Sequence, residues 1–205
     1  MVLLIILVVG AYLLGSIPSS VWLGKWIKGI DLRKQGSGNA GATNAFRVLG
    51  KPIGVVVFAL DMLKGFLAVN LSHFQKEILP DSESWMILRI VLGLLAVAGH
   101  IYPLFAGFKG GKGVATMAGV GLAIHPYAAL AAIGIYLLVF LIFRLSALGS
   151  LSAVISYPVW VILVFQSEFR AVWAFSVAVP VLIFITHRSN IARLISGKEK
   201  PILKS

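Results

Sequence analysis

Long apolar runs recur along this 205-residue chain, separated by short polar stretches. Seven of them, at roughly 2–24, 53–72, 85–105, 113–125, 127–143, 149–166 and 169–186, predict membrane-crossing helices, since a span needs about 20 predominantly apolar residues. The fourth is short by that measure, so it is expected either to be partly re-entrant or to continue from its glycine-rich lead-in. Pro18 lies inside the first run and predicts a kink near its cytoplasmic end. That run, MVLLIILVVGAYLLG, lacks a basic flank and a small-x-small cleavage site and continues past Trp22. It reads as a retained helix rather than a signal peptide. The pattern predicts an all-α polytopic membrane protein, with residues 1–205 forming a single integral membrane domain.

Composition sharpens this. With 59% hydrophobic and 12% charged residues, the chain is excluded from the soluble globular classes. There is no cysteine, which removes thiolate catalysis, disulfides and thiolate metal sites and leaves the redox compartment undetermined. The net charge is +11. Fourteen Lys and Arg fall in one set of loops, against Lys76, Arg170 and Arg89 on or near the other, while Lys64 lies within a span. The positive-inside rule then puts the N-terminus outside and the C-terminus in the cytoplasm. The cations are spread over short loops between spans of a lipid bilayer, so nucleic acid is not an expected partner. No internal repeat of the secondary-transporter kind is visible.

The longest polar interruption is residues 31–51, DLRKQGSGNAGATNAFRVLGK. Its glycines let backbone N–H groups converge and its cations add charge, which together make an anion cradle. Gly36 to Gly41 spells G-x-G-x-x-G, but a charged loop precedes it rather than a strand of a βαβ unit, so it is no dinucleotide fingerprint. The stretch 107–116, GFKGGKGVAT, fails the P-loop spacing as well. It reads either as a cationic stop between helices or as a second phosphate cradle. In the latter, Lys109 and Lys112 would flank Gly110 and Gly111, and free N–H groups would lead into a helix N-terminus. His187 and Asn190, three apart after the last span, would share a helical face if the helix continues. Asp61 and Lys64, also three apart, can meet within the second span, as a functional pair or as a structural lock. His100 is either a helix-end residue bonding a carbonyl or a shaper of the site, and His73 and His125 read as structural. Ser146 and Ser150 near Arg144 either cap a helix or contact phosphate. No carboxylate pair, metal-ligand spacing or activated nucleophile stands out, so neither metal nor cofactor is expected. Such a set suits substrates that carry the chemistry themselves. A transporter or channel for a phosphorylated anion is the alternative from another class.

Four motifs resemble one family in order. They are GSIPSS at 15–20, the 31–51 stretch, GHIYPLFAGFKGGKGVAT at 99–116 and HRSNIARL at 187–194. Together they are similar to the bacterial acyl-phosphate:glycerol-3-phosphate acyltransferases of the PlsY family. The resemblance implies a seven-helix bacterial inner-membrane enzyme with its active site facing the cytoplasm. It would move a fatty acyl group from acyl phosphate to the 1-hydroxyl of glycerol 3-phosphate, giving lysophosphatidic acid and phosphate. A functional link to the phosphate acyltransferase PlsX, which would supply acyl phosphate, is implied too. The H-x-x-x-x-D motif of other glycerol-phosphate acyltransferases is absent, since Ile78, Phe105, Leu130 and Ala192 stand five after the four histidines. By the same resemblance, Arg47, Lys112, His187 and Asn190 would line the reacting centre. Gly36, Ser37, Gly38, Asn39, Gly41, Thr43, Asn44, Lys109, Gly110, Gly111 and Ser150 would bind substrate phosphate. Either His187 or substrate phosphate would take the hydroxyl proton.

Overall fold

The computed structural model describes residues 1–202, and every regular element among them is helical. The first apolar run divides into α1 (Val2–Gly15) and α2 (Ser19–Lys28), bent 42° apart. Pro18 has no N–H for a continuing helix and disfavours helical backbone at Ile17, so the break falls where the sequence places it. The short α3 (Ala42–Val48) lies in the polar stretch and α4 (Lys51–Asn70) follows it. Next comes α5 (Glu83–Ile101), capped by the Ser82 hydroxyl accepting the Trp85 N–H, and then α6 (Val114–Ile124).

The chain continues with α7 (Pro126–Phe143), which has Pro126 at its first position, where the missing N–H costs nothing. His125 caps this helix by accepting the Ala128 N–H. α8 (Ser146–Pro158) runs on as a π-helical segment, Val159–Val164. α9 (Arg170–Thr186) is followed by α10 (Arg188–Ile195), bent 71° from it at His187.

Among the described residues, four helical stretches are long and apolar enough to cross a membrane: Lys51–Phe74, Glu83–Ala106, Pro126–Phe143 and Ser146–Val164. The α1–α2 and α9–α10 pairs bring this to six if each bent pair is one span. At 11 residues α6 reaches only about 16 Å, well short of a hydrocarbon core about 30 Å thick. Its shortness follows from the non-helical glycine lead-in, which does not lengthen it. The helices present apolar side chains outward, including Leu137, Leu138, Leu141 and Ile142 of α7, so this is a multi-pass membrane protein with a lipid-facing exterior.

The chain forms two compact units, Met1–Ile124 and a second from His125 onward. In the first, glycines let helices pass almost backbone to backbone. A Cβ on Gly65 would overlap the Thr116 carbonyl and one on Gly119 the Met62 carbonyl, which locks α4 to α6. Gly15 and Gly99 do the same between α1 and α5. In lipid, helix association relies on such close van der Waals approach, because lipid tails are as apolar as the helices. A core of Leu32, Ala45, Leu49 and Val57 seats the polar stretch on α4. In the second unit α8 packs on α7 and α9, with Gly149 against the Tyr136 ring.

Candidate active site

The first cradle is a loop folded around one side chain. Asn44, only 1% exposed, sits on α3 and turns its amide inward. Its Nδ2 donates to the carbonyls of Leu32, Gln35 and Asn39, and its Oδ1 accepts the Ser37 N–H at 2.9 Å. Gly36 and Gly38 take φ of 59° and 73°, the left-handed backbone that lets the chain wrap this amide. A Cβ at Gly36 would overlap Asn44 Oδ1. The Gly38 N–H donates to Gln35, so two loop amides expected to face an anion are used within the loop. Ser37 and Thr43 are exposed, Asn39, Gly41 and Arg47 are half-buried, and Gly41 caps α3. Asp31 braces the entry, since its carboxylate accepts the Arg33 side chain at 2.7 and 3.0 Å. That hydrogen bond with the guanidinium holds the carboxyl down at about 2. Arg33 in turn donates to the Ala106 carbonyl at 2.6 Å, tying this loop to the one before Lys109.

The second cradle differs from its expected form. The Gly110 and Gly111 amides donate to the Ile101 and His100 carbonyls at 3.2 and 3.1 Å, so they close the end of α5 and do not stand free. The amides that lack an intrahelical acceptor belong to the first turn of α6, just beyond Lys112. Lys109 is exposed and Lys112 half-buried.

Asp61 and Lys64 meet as their spacing predicts, at 2.9 Å and almost fully buried. Asp61 also accepts the Ser19 hydroxyl at 3.1 Å and lies 3.6 Å from His100 Nδ1. Of the two readings open for His100, the carbonyl bond is not the one the structure shows: the ring faces a carboxylate. Ser20 donates to the Ala40 carbonyl at 2.7 Å, fastening α2 to the first cradle. The roles of Ser19 and Ser20 escape the sequence reading, because a serine in an apolar run reads as a tolerated helix residue. The proline break beside them was the available signal.

In the second unit His187 and Asn190 are brought together by a turn. The helix does not continue, and His187 becomes the N-cap of α10, its carbonyl accepting the Asn190 N–H at 2.8 Å. His187 is 4% exposed, with Nδ1 3.0 Å from the Ile183 carbonyl, a contact that fixes its ring. The Asn190 amide donates to Glu199 at 2.6 Å, and the same carboxylate accepts Arg193 Nε at 2.6 Å. Nothing in the sequence singles out Glu199, which stands between two lysines in a basic tail. Buried Ser150 donates back to the Ser146 carbonyl at 2.9 Å, and the Ser146 hydroxyl meets the Tyr136 hydroxyl at 3.1 Å. Neither serine side chain caps α8. Among the described residues no group of three or more His, Asp or Glu has the geometry of a metal site.

Residues 5–197 match the glycerol-3-phosphate acyltransferase family. Two relatives, both named glycerol-3-phosphate acyltransferase, come from Chlorobaculum tepidum and Prochlorococcus marinus. The first is 42% identical over 94% of each chain, and the second 38% over 97% of each. The fold matches crystal structures of PlsY, an integral membrane glycerol 3-phosphate acyltransferase. Its glycerol 3-phosphate form superposes with a TM-score of 0.85 at 43% identity, over 97% of this chain and 94% of that one. Its lysophosphatidic acid form gives 0.83 at 42%, with the same coverage. With the family matched from residue 5 to 197 and relatives about 40% identical end to end, this chain belongs to the glycerol-3-phosphate acyltransferase family of integral membrane enzymes.

Proposed function

We propose that this protein transfers a fatty acyl group from acyl phosphate to the 1-hydroxyl of glycerol 3-phosphate, giving lysophosphatidic acid and inorganic phosphate. The observation that carries the reading is the nearly full-length likeness to PlsY in both its glycerol 3-phosphate and lysophosphatidic acid forms. The acyl-phosphate donor is supported by the chain's own chemistry. It has no cysteine to hold an acyl group and no H-x-x-x-x-D motif, and a mixed anhydride is already activated. The hydroxyl oxygen attacks the acyl carbonyl carbon, the bond from that carbon to the phosphate oxygen breaks, and phosphate leaves with its electron pair. The hydroxyl proton passes to His187 or to substrate phosphate. Holding the two reactants in line and neutralising the departing phosphate supplies most of the rate.

In this reading Arg47 and Lys112 neutralise phosphate charge, while Ser37, Thr43 and Lys109 add donors, and Ser150 joins them by turning its hydroxyl from the Ser146 carbonyl to phosphate. Gly36, Gly38, Asn39, Gly41, Asn44, Gly110 and Gly111 act by shaping the loops that carry those donors. His187 and Asn190 serve the reacting hydroxyl. Residues 1–205 act as one domain in a bacterial inner membrane, with α6 and its glycine lead-in together making the seventh crossing, N-terminus outside and C-terminus cytoplasmic, a topology the loop charges support. The donor would come from a PlsX-type phosphate acyltransferase.

Purified protein in proteoliposomes, given acyl phosphate and glycerol 3-phosphate, should release phosphate and form lysophosphatidic acid. Lys112→Ala and Arg47→Ala should each slow it. Absence of turnover together with flux of a phosphorylated anion across the vesicle would replace the enzyme reading with the transporter. A pH–rate profile that keeps its limb in His187→Ala would remove His187 as the base.

A further inference from the structure

The reaction as described makes no use of the charges buried in the first unit. Asp61, Lys64 and His100 are 1%, 5% and 5% exposed. Ionisable groups at membrane depth are costly, and a buried ion pair contributes little net stability over apolar residues of the same size. Their geometry points elsewhere. Lys64 donates to both Asp61 Oδ1 and the Ile17 carbonyl at the proline break, each at 2.9 Å. Asp61 Oδ2 is buried with no hydrogen-bond partner among the described residues. A cavity of about 10 Å³, room for one water, is lined by Asp61, Lys64, His100, Ser19, Gly110 and Gly111.

The imidazole of His100 connects these charges to the glycine loop. Its Nδ1 edge faces Asp61 at 3.6 Å. Its opposite edge lies against Gly111, where an added Cβ would overlap Nε2 and crowd Cε1 and Cδ2 and meet no other group as closely. The backbone of residues 100 and 101 holds the Gly111 and Gly110 amides. The ring is therefore wedged between a carboxylate and Gly111, the residue that precedes Lys112.

We propose that Asp61 and His100 are positioning residues for the reaction. Asp61 orients the imidazole, and the imidazole edge sets where the Gly111 backbone, and with it Lys112, lies. This rests on the reading that 109–112 handles substrate phosphate. The charge pair meets the ring on the edge away from the loop.

The test is steady-state kinetics on Asp61→Asn, His100→Ala, Gly111→Ala and the double variant His100→Ala/Gly111→Ala, with thermal unfolding in detergent alongside. Asp61→Asn and His100→Ala should raise the KM of one phosphate substrate on the order of tenfold and leave the other within about twofold. Gly111→Ala should impair the wild-type protein but add less than about twofold to His100→Ala, because the ring it strikes is gone. If Asp61→Asn does not fold, Asp61→Asn/Lys64→Met removes both charges together and is read in its place. Losses in kcat and Tm with both KM values unchanged, or a Gly111→Ala loss that adds fully to His100→Ala, would overturn the proposal. Impaired Lys112→Ala beside wild-type kinetics in Asp61→Asn and His100→Ala overturns this inference alone. Wild-type activity in Lys112→Ala instead overturns the phosphate reading beneath it.

Discussion

Asn44 offers the sharpest test of how the first cradle is built. Its side chain engages three hydrogens: two of its own amide shared among the Leu32, Gln35 and Asn39 carbonyls, and the Ser37 N–H held at Oδ1. At about 1 kcal/mol net each, Asn44→Ala should cost the ordered loop about 3 kcal/mol, or about a hundredfold in its population. The loop is seated separately by Leu32, Leu49 and Val57, so the loss should be local and leave the helices folded. Asn44→Asp should be worse than Asn44→Ala: it can still accept the Ser37 N–H, yet it turns an anionic oxygen toward three carbonyls. Hydrogen exchange followed by mass spectrometry on substrate-free protein would read this directly, with faster exchange across 35–44 in both variants. Unchanged exchange without substrate, with only substrate affinity reduced, would make Asn44 a ligand and refute the scaffold argument. Wild-type behaviour of Asn44→Asp would refute it independently.

Gly119→Ala drives a methyl into the Met62 carbonyl and must part α4 from α6. Overpacking of this kind costs about 1–3 kcal/mol, so Tm in detergent should fall by several degrees, whereas Gly134→Ala on α7, which meets nothing within 4 Å, should leave it unchanged or raise it. The Asp31–Arg33 pair predicts a pH dependence with a definite sign. Because the folded carboxyl sits at about 2, below its ordinary value of 3.8, its contribution is fully present above pH 4 and lost as pH falls toward 2. Asp31→Asn should therefore lower Tm at pH 7, by a gap that narrows as pH drops below 4. A gap that stays constant would mean that the pair's charge is not what braces the loop.

What the sequence determined by itself is the set of helices and the chemistry. Apolar runs fix where helices form, because an unpaired backbone in lipid has no other partner. Each run reappears in the structure within a few residues, down to the break at Pro18 and the short fourth helix. The motifs likewise mark which loops carry cations and glycines. Tertiary structure alone decided which donors remain for a ligand. Gly110 and Gly111 look free in sequence, yet they are consumed by the end of α5, and Asn44 looks like a ligand until its partners at residues 32, 35, 37 and 39 are seen. Glu199 holding Asn190, and His100 between Asp61 and Gly111, were equally out of reach. A hydrogen bond depends on distances across turns and between helices. Periodicity gives the face on which a side chain lies, but only packing brings its partner to within 3 Å.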